Sequence, residues 1–264
     1  MSTPANDKLI PAATILLLRD GHDGLEVFMV VRHHQIDFAS GALVFPGGKV
    51  DPRDSLDSVR ERVDGAEGLD DREFAMRVAA IREAYEECGV LLARPEGSRK
   101  LVDAERLTSL EPKRVALNEG EIGIGDVLST ERLRLALDLL TPFAHWITPK
   151  MMPKRFDTRF YLVIAPDDHL AMHDGSESVD SVWIRPADAL EEAKAGTKTI
   201  IFPTRVNVQK LGRHRSVVEA LAAARASTII TVEPRVERRE EGAVLSIPAE
   251  ADYDVTEEPI SSTR

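Results

Sequence analysis

The sequence of 264 residues is poor in cysteine, in long apolar runs and in positive charge. Its single cysteine, Cys88, excludes an intrachain disulfide framework and a zinc site of several thiolates, and it favours a reducing cytoplasm. The apolar run at residues 9–18 contains Pro11, is too short to cross a bilayer and lacks a basic leader, so a buried strand is expected there. A formal net charge of −11 argues against binding to nucleic acid, and it means that an anionic ligand needs a local cation or a bound metal.

The pattern of apolar residues predicts one domain of mixed α and β class with an appended segment. Predicted strands occupy residues 9–19, 25–33, 42–45, 143–148, 159–165 and 179–184. Predicted helices occupy residues 72–88, 131–140, 186–195 and 216–226. Residues 55–72 are polar and contain two glycines, so we expect an inserted loop. The domain is predicted over residues 1–232, and a loosely held acidic tail over 233–264.

The most informative segment is REAYEECGV at residues 82–90. At about 100° per residue on a helix, Glu83, Glu86 and Glu87 share one face. The apolar residues of the same helix fall on the opposite face: Phe74, Val78, Ile81, Tyr85 and Cys88. Three like charges in one turn repel one another, and carboxylates near the negative end of a helix dipole cost about 0.3–1 kcal/mol each. A divalent cation reverses that sign, and oxygen ligands favour Mg²⁺ or Mn²⁺ over Zn²⁺; the alternative is a solvated charged face.

A second segment, FPGGKVD at residues 45–51, runs from a strand into a Gly-Gly turn. Glycine lets the backbone approach a ligand closely, and the turn can expose a carbonyl oxygen, that of Gly47, toward a metal. Alone, such a turn is weak support for a site. It gains weight only in combination with the carboxylate helix.

Together the two segments resemble the Nudix box, whose pattern is G-x5-E-x7-R-E-U-x-E-E-x-G-U, with U an apolar residue. Gly48 opens the pattern, Asp54 stands in the first acidic position, and residues 82–90 match the second half. Asp54 is one methylene shorter than the usual glutamate, and 27 residues separate it from Arg82 where the pattern has seven. Because the extra residues are polar and loop-like, they can bulge outward at modest entropic cost.

An interrupted box of this kind resembles the acyl-CoA diphosphatase branch of the Nudix hydrolases. Three further segments are similar to that branch: residues 41–48, 146–149 and 154–160. The coenzyme A signature of related enzymes has an arginine four residues before Gly41, where this chain has Asp37. Arg32 is the candidate to compensate, and a different substrate is the alternative.

The resemblance implies an α/β/α sandwich with a mixed sheet, and metal-dependent hydrolysis of the pyrophosphate bond of a nucleoside diphosphate linked to another group. By position, Glu86 and Glu87 would bind Mg²⁺ or Mn²⁺, with the Gly47 carbonyl as a further ligand. Glu83 would be another ligand or the base for the attacking water. Arg82 would hold the carboxylates by charge-assisted hydrogen bonds and keep their pKa values low.

Several cations are candidates for binding the substrate. Arg155 and Arg159 would share one face of a strand, where they would meet phosphates or form structural ion pairs. Lys49 follows the Gly-Gly turn, and Arg32 ends a predicted strand. The clearest basic cluster would receive a 3′-phosphate or be a solvated face: Arg205, Lys210, Arg213 and Arg215.

Other candidates have two interpretations each. His145 and Trp146 would stack on a base or fill the core, Cys88 is expected to be a packed thiol, and Glu177 would be a loop acid of the site or a surface residue. His33-His34 is expected at a strand end.

Three functions remain open at this point. The first is hydrolysis of coenzyme A or acyl-CoA to 3′,5′-ADP and (acyl) phosphopantetheine, and the second is the same chemistry on ADP-ribose or another dinucleotide. The third, a noncatalytic ligand sensor, is disfavoured because the three glutamates and Arg82 are present and no basic helix-turn-helix accompanies them. The expected partner is a small nucleotide, without nucleic acid or membrane, and the resemblance allows a homodimer.

Overall fold

The computed structural model describes residues 8–32, 41–169, 178–240 and 242–260. Its strands are β1 (Leu9–Gly21), β2 (Gly24–Arg32), β3 (Leu43–Val44), β4 (Gly47–Lys49), β5 (Val63–Asp64), β6 (Ala93–Pro95), β7 (Leu133–Ala136), β8 (Thr141–Ile147), β9 (Arg155–Ile164), β10 (Ser178–Ile184), β11 (Thr231–Val232), β12 (Arg235–Arg239), β13 (Gly242–Ser246) and β14 (Glu257–Pro259). Its α-helices are α1 (Asp57–Arg60), α2 (Asp71–Cys88), α3 (Ala104–Asn118), α4 (Ile124–Glu131), α5 (Pro186–Ala195), α6 (Phe202–Leu211) and α7 (Val217–Ala226). Short 3₁₀ turns occupy Pro52–Ser55, Leu137–Leu139 and Ala249–Ala251.

The central sheet is mixed and has the order β10-β2-β1-β9-β8-β11, with β3 beside β2 and β4 beside β1. Strand β1 lies inside this sheet because it is apolar on both faces. Ile15 and Leu17 face the core shared with α2, whereas Leu16 and Leu18 face the core shared with α5, α6 and α7. Helices therefore cover both faces, and the predicted α/β/α sandwich with a mixed sheet is confirmed.

Helix α2 forms where the sequence predicts it. The side chain of Asp70 accepts a hydrogen bond from the Glu73 amide at its start, and Gly89 ends it in the left-handed conformation, with φ 69°. The predicted apolar stripe is buried against the sheet: Phe74, Val78, Ile81, Tyr85 and Cys88. This packing fixes the direction of the opposite, carboxylate-bearing face.

The segment between the two halves of the box is more ordered than the predicted loop. It contains α1 and β5, and β5 joins a small sheet with β7 and β6. Val59 and Val63 anchor it in the core, although neither belongs to a periodic pattern. The helix predicted over residues 131–140 is wrong, since β7 and a 3₁₀ turn occupy that range and supply the strand that β5 needs.

The prediction of a loosely held tail is also wrong for the described residues after 232. Strands β12, β13 and β14 form a sheet, and Tyr253 is buried, donating its hydroxyl to Asn207 and accepting from the Trp146 indole. The acids of this segment pair with the basic cluster on and after α6: Arg205 with Glu258, and Arg213 with Asp252 and Asp254. Arg205 and Arg213 are therefore neutralised by these acids and are not open receptors for a phosphate. The domain boundary at residue 232 stays a prediction.

None of the helices in the described ranges combines the length and apolarity that crossing a bilayer demands.

Candidate active site

The Gly-Gly turn and the end of α2 meet through their backbone and carboxylates. The Gly47 amide donates to Glu87 Oε2 at 3.1 Å. A Cβ atom placed on Gly48 would lie 2.5 Å from the Glu83 carboxylate. Gly47 has a φ of 155°, and a Cβ there would collide with the backbone of β1. Both glycines are therefore required by close approach, as their place in the motif suggests.

Arg82 lies at the centre of this arrangement. Its Nε and Nη2 donate to the two oxygens of Asp54 at 2.9 and 3.1 Å, and its Nη1 donates to Glu83 and Glu86 at 2.8 Å each. Nη2 also donates to the carbonyl of Lys49 at 2.7 Å. One guanidinium thus joins β4, the first acid of the box and two glutamates of α2. The expected contact between Arg82 and the carboxylates is present.

The carboxylates are not a solvated face. Glu83 is 9% exposed and Glu87 8% exposed, and Asp54 is fully buried. Burial raises the pKa of Glu86 to about 7, against the opposing effect of Arg82, and burial raises the pKa of Asp54 as well. Arg82 lowers the pKa of both groups, as expected, but for Asp54 and Glu86 the loss of solvation outweighs the ion pairs and the pKa is raised overall.

A second arginine compensates the end of the helix. Arg114 of α3 donates from Nε to the carbonyls of Tyr85 and Glu86 at 2.8 and 3.0 Å. It supplies the positive charge that the negative end of α2 lacks in its own sequence. A metal ion is therefore not required to offset all of the negative charge, because Arg82 and Arg114 already offset part of it.

The residue types at this site are suitable ligands for a divalent cation. Nearly buried carboxylates and the backbone of a glycine turn form an all-oxygen donor set, which suits Mg²⁺ or Mn²⁺. They do not form a ready cluster: within the described ranges, no three acidic, histidine or cysteine side chains already converge as metal ligands. Glu83 and Glu86 instead contact the same nitrogen of Arg82.

The comparisons with known proteins identify the family. Residues 57–211 match the family model described as the NUDT19 Nudix domain, which is more than half of the chain. The chain belongs to the Nudix hydrolase family. A crystal structure of a Nudix hydrolase from Alicyclobacillus acidocaldarius is similar, with a TM-score of 0.66 and 29% identity over 83% of this chain and 97% of that one.

Curated relatives of this Nudix chain carry two kinds of name. Nudix hydrolase 7 of Caenorhabditis elegans is 31% identical over 71% of this chain and 56% of its own length. Acyl-coenzyme A diphosphatase NUDT19 of Xenopus laevis is 26% identical over 64% of this chain and 55% of its own length. The chain thus spans little more than half the length of these curated relatives.

The remaining predicted residues lie in different places. Lys49 is exposed on β4, beside the Gly-Gly turn. Arg155 is buried and donates to the Thr148 carbonyl and to Glu233, so of its two interpretations the structure supports the structural ion pair. Trp146 fills the core against Phe202 and Tyr253, and Cys88 is a buried thiol. The side chain of Arg32 and the positions of His33, His34, Asp37 and Glu177 lie outside the described part.

Sequence reasoning missed a polar chain next to Arg159. His145 contacts Asp157 through Nε2 at 2.5 Å and Thr231 through Nδ1 at 2.7 Å, and Arg72 pairs with Asp157. Burial, with Arg159 and Arg72 nearby, lowers the pKa of His145 to about 4. The sequence offers one indication of Asp157, its place on β9 between Arg155 and Arg159. It offers no indication of Thr231, because β11 has only two residues and shows no strand pattern.

Proposed function

We propose that this Nudix chain hydrolyses the pyrophosphate bond of coenzyme A or an acyl-CoA with the help of Mg²⁺ or Mn²⁺, giving 3′,5′-ADP and (acyl) phosphopantetheine. The observation that carries the chemistry is the trio of glutamates at the Gly-Gly turn, two of them nearly buried: Arg82 holds Glu83 and Glu86, and the Gly47 amide donates to Glu87. Carboxylates removed from water beside glycine backbone favour a charged ligand over a solvated surface. The choice of coenzyme A is supported by the relatives named acyl-coenzyme A diphosphatase.

In this reaction a water oxygen bonds to one phosphorus, the bridging P–O bond breaks, and a proton passes from the water to a base. A bound divalent ion supplies neutralisation of the phosphate oxygens and a more acidic water. Glu86 and Glu87, with the Gly47 carbonyl, would hold that ion. Two roles are then open to Glu83, a further ligand or the base, and both need its carboxylate where Gly48 leaves room.

In this proposal Arg82 positions the glutamates and does not contact the substrate. Its side chain is nearly buried, and its donors already bind Asp54, Glu83, Glu86 and the Lys49 carbonyl. It would fix the glutamates for metal binding, while the exposed Lys49 is free of that task and would meet the substrate phosphates.

One observation favours a second substrate class. Asp37 stands where the coenzyme A signature of related enzymes has an arginine, so ADP-ribose or another dinucleotide is the alternative. A cytoplasmic location and a homodimer stay predictions.

A panel of substrates tests the two substrate classes, coenzyme A compounds and ADP-ribose or another dinucleotide. The protein is incubated with coenzyme A, acetyl-CoA, ADP-ribose and NADH in Mg²⁺ or Mn²⁺, and the products are identified by mass. Release of 3′,5′-ADP supports the first substrate class, and AMP from ADP-ribose supports the second.

We expect Glu86→Gln and Glu87→Gln to lower turnover by orders of magnitude with the fold intact, while Glu119→Gln, at an exposed acid, leaves it unchanged. Failure of the wild-type protein across a broad nucleotide panel would favour the noncatalytic sensor.

A further inference from the structure

A cavity of about 330 Å³ lies beside the end of β9, and no residue of the Nudix box lines it. Its walls are mainly apolar: Leu101, Leu139, Val163, Ala165 and Leu221. Ile164, which is 54% exposed, also lines it, together with the exposed and oppositely charged Asp167 and Arg225. A cavity of this volume, with an apolar lining and a few polar groups, suits a small molecule.

The cavity exists because β8 is shorter than β9 at this end of the sheet. Strand β8 begins at Thr141, which pairs with Leu162, and the 3₁₀ turn Leu137–Leu139 leads the chain away before that point. Strand β9 continues beyond Leu162 and pairs with β1 on its other edge. Since Leu139 and Ile164 both line the cavity, it lies where a longer β8 would have continued.

The backbone of Ile164 faces this space. The Ala165 amide donates to the Leu18 carbonyl of β1 at 2.8 Å. Because the backbone groups of successive residues in a strand point to opposite edges, the amide and carbonyl of Ile164 point away from β1. Within the described ranges no strand pairs with Ile164 on that edge. In an antiparallel pair one residue supplies both hydrogen bonds, and an α-amino acid carries the same donor nitrogen and acceptor oxygen.

The charges of the cavity match the two ends of such a ligand. Neither Asp167 nor Arg225 has an ion pair with another described side chain, whereas the third charged residue, Asp138, is held by both Nη atoms of Arg94 at 2.7 and 2.8 Å. An antiparallel ligand would point its amino end along β9 toward Asp167, which leaves its carboxylate for Arg225.

The sheet also determines where the ligand side chain would lie. Partners in register project from the same face. Ile164 shares its face with Leu162, whose apolar cluster includes Leu221 of α7. A side chain on that face would therefore contact Leu221, so an apolar group is favoured there.

We propose that this cavity binds an α-amino acid with an apolar side chain. Its ammonium group binds Asp167 and the Ile164 carbonyl, its carboxylate binds Arg225 and the Ile164 amide, and its side chain packs on Leu221. The site is separate from the carboxylates of α2, so it does not depend on the proposed function.

Titration of isotope-labelled protein with L-leucine, L-methionine and L-phenylalanine, followed by amide NMR, tests this site. We expect a saturable shift of the Ile164 amide resonance and slower hydrogen exchange at that amide. Two analogues of leucine are the ligand controls: leucinamide lacks the carboxylate, and 4-methylpentanoic acid lacks the ammonium group. Each should bind at least about tenfold more weakly than L-leucine, the loss typical of a hydrogen bond to a charged group.

Three variants locate the binding. Arg225→Met and Asp167→Asn should each weaken the best ligand at least about tenfold. Arg238→Met, at an exposed arginine of β12, is the matched control and should leave the affinity unchanged. Circular dichroism checks that each variant is folded. The site is overturned if none of the three amino acids binds the wild-type protein, if binding leaves the Ile164 amide unshifted, or if all variants bind equally.

Discussion

Arg82 holds both oxygens of Asp54, at 2.9 and 3.1 Å, although 27 residues separate them in the sequence. The interruption of the box therefore leaves its two halves in contact. The shorter acid suffices because Asp54 lies in the 3₁₀ turn that follows β4, where the Asp51 amide also donates to it.

Replacing Asp54 by Asn should destabilise the fold. The pair is buried, and removing one partner leaves the Arg82 charge without its closest compensation. We expect a loss of about 3 kcal/mol in the free energy of unfolding, measured by urea denaturation. Asp54→Glu, which keeps the charge, should lose less. A loss below about 1 kcal/mol in Asp54→Asn would contradict the importance of this pair.

Gly48→Ala should impair activity more than stability. Its new methyl group would meet the Glu83 carboxylate 2.5 Å away, and a side chain yields more easily than backbone. We expect turnover to fall at least about tenfold, the effect of misplacing one catalytic group, while the melting temperature changes little. Wild-type turnover in Gly48→Ala would show that the position of Glu83 does not matter.

Arg114→Met should weaken the end of α2. It removes two hydrogen bonds to the Tyr85 and Glu86 carbonyls and a positive charge at the helix terminus. We expect a loss of about 1–3 kcal/mol in the free energy of unfolding. The control is Arg99→Met, at an exposed arginine outside the helices. Equal stabilities of the two variants would argue against this role.

Acid should destabilise the protein through His145. Its pKa is about 4 in the folded state against 6.5 ordinarily, so below pH 6.5 the unfolded chain takes up a proton that the folded chain does not. The contribution of His145 is present in full above pH 6.5 and is lost as the pH falls toward 4. His145→Gln cannot titrate, so its unfolding free energy should fall about 1–3 kcal/mol less than that of the wild-type protein over this window. Parallel pH profiles for the two proteins would contradict this assignment.

The elements predicted from the sequence are those with local signals. Helix α2 has a cap, an apolar stripe and a terminal glycine, and the Gly-Gly turn belongs to a recognisable motif. What could not be predicted depends on distant partners: Arg114 reaches Glu86 from another helix, and Thr231 meets His145 across 86 residues. The acidic segment after residue 232 looked solvated because its partners, the arginines of α6 and the loop after it, are visible only in the fold.

Titration of Mn²⁺ into the purified protein, followed by calorimetry, tests most directly whether the glutamates of α2 hold a divalent ion. We expect saturable binding to the wild-type protein, weakened at least about tenfold in Glu86→Gln and in Glu87→Gln, and unchanged in Glu119→Gln. Absence of binding to the wild-type protein, or equal affinity in all four proteins, would contradict the account.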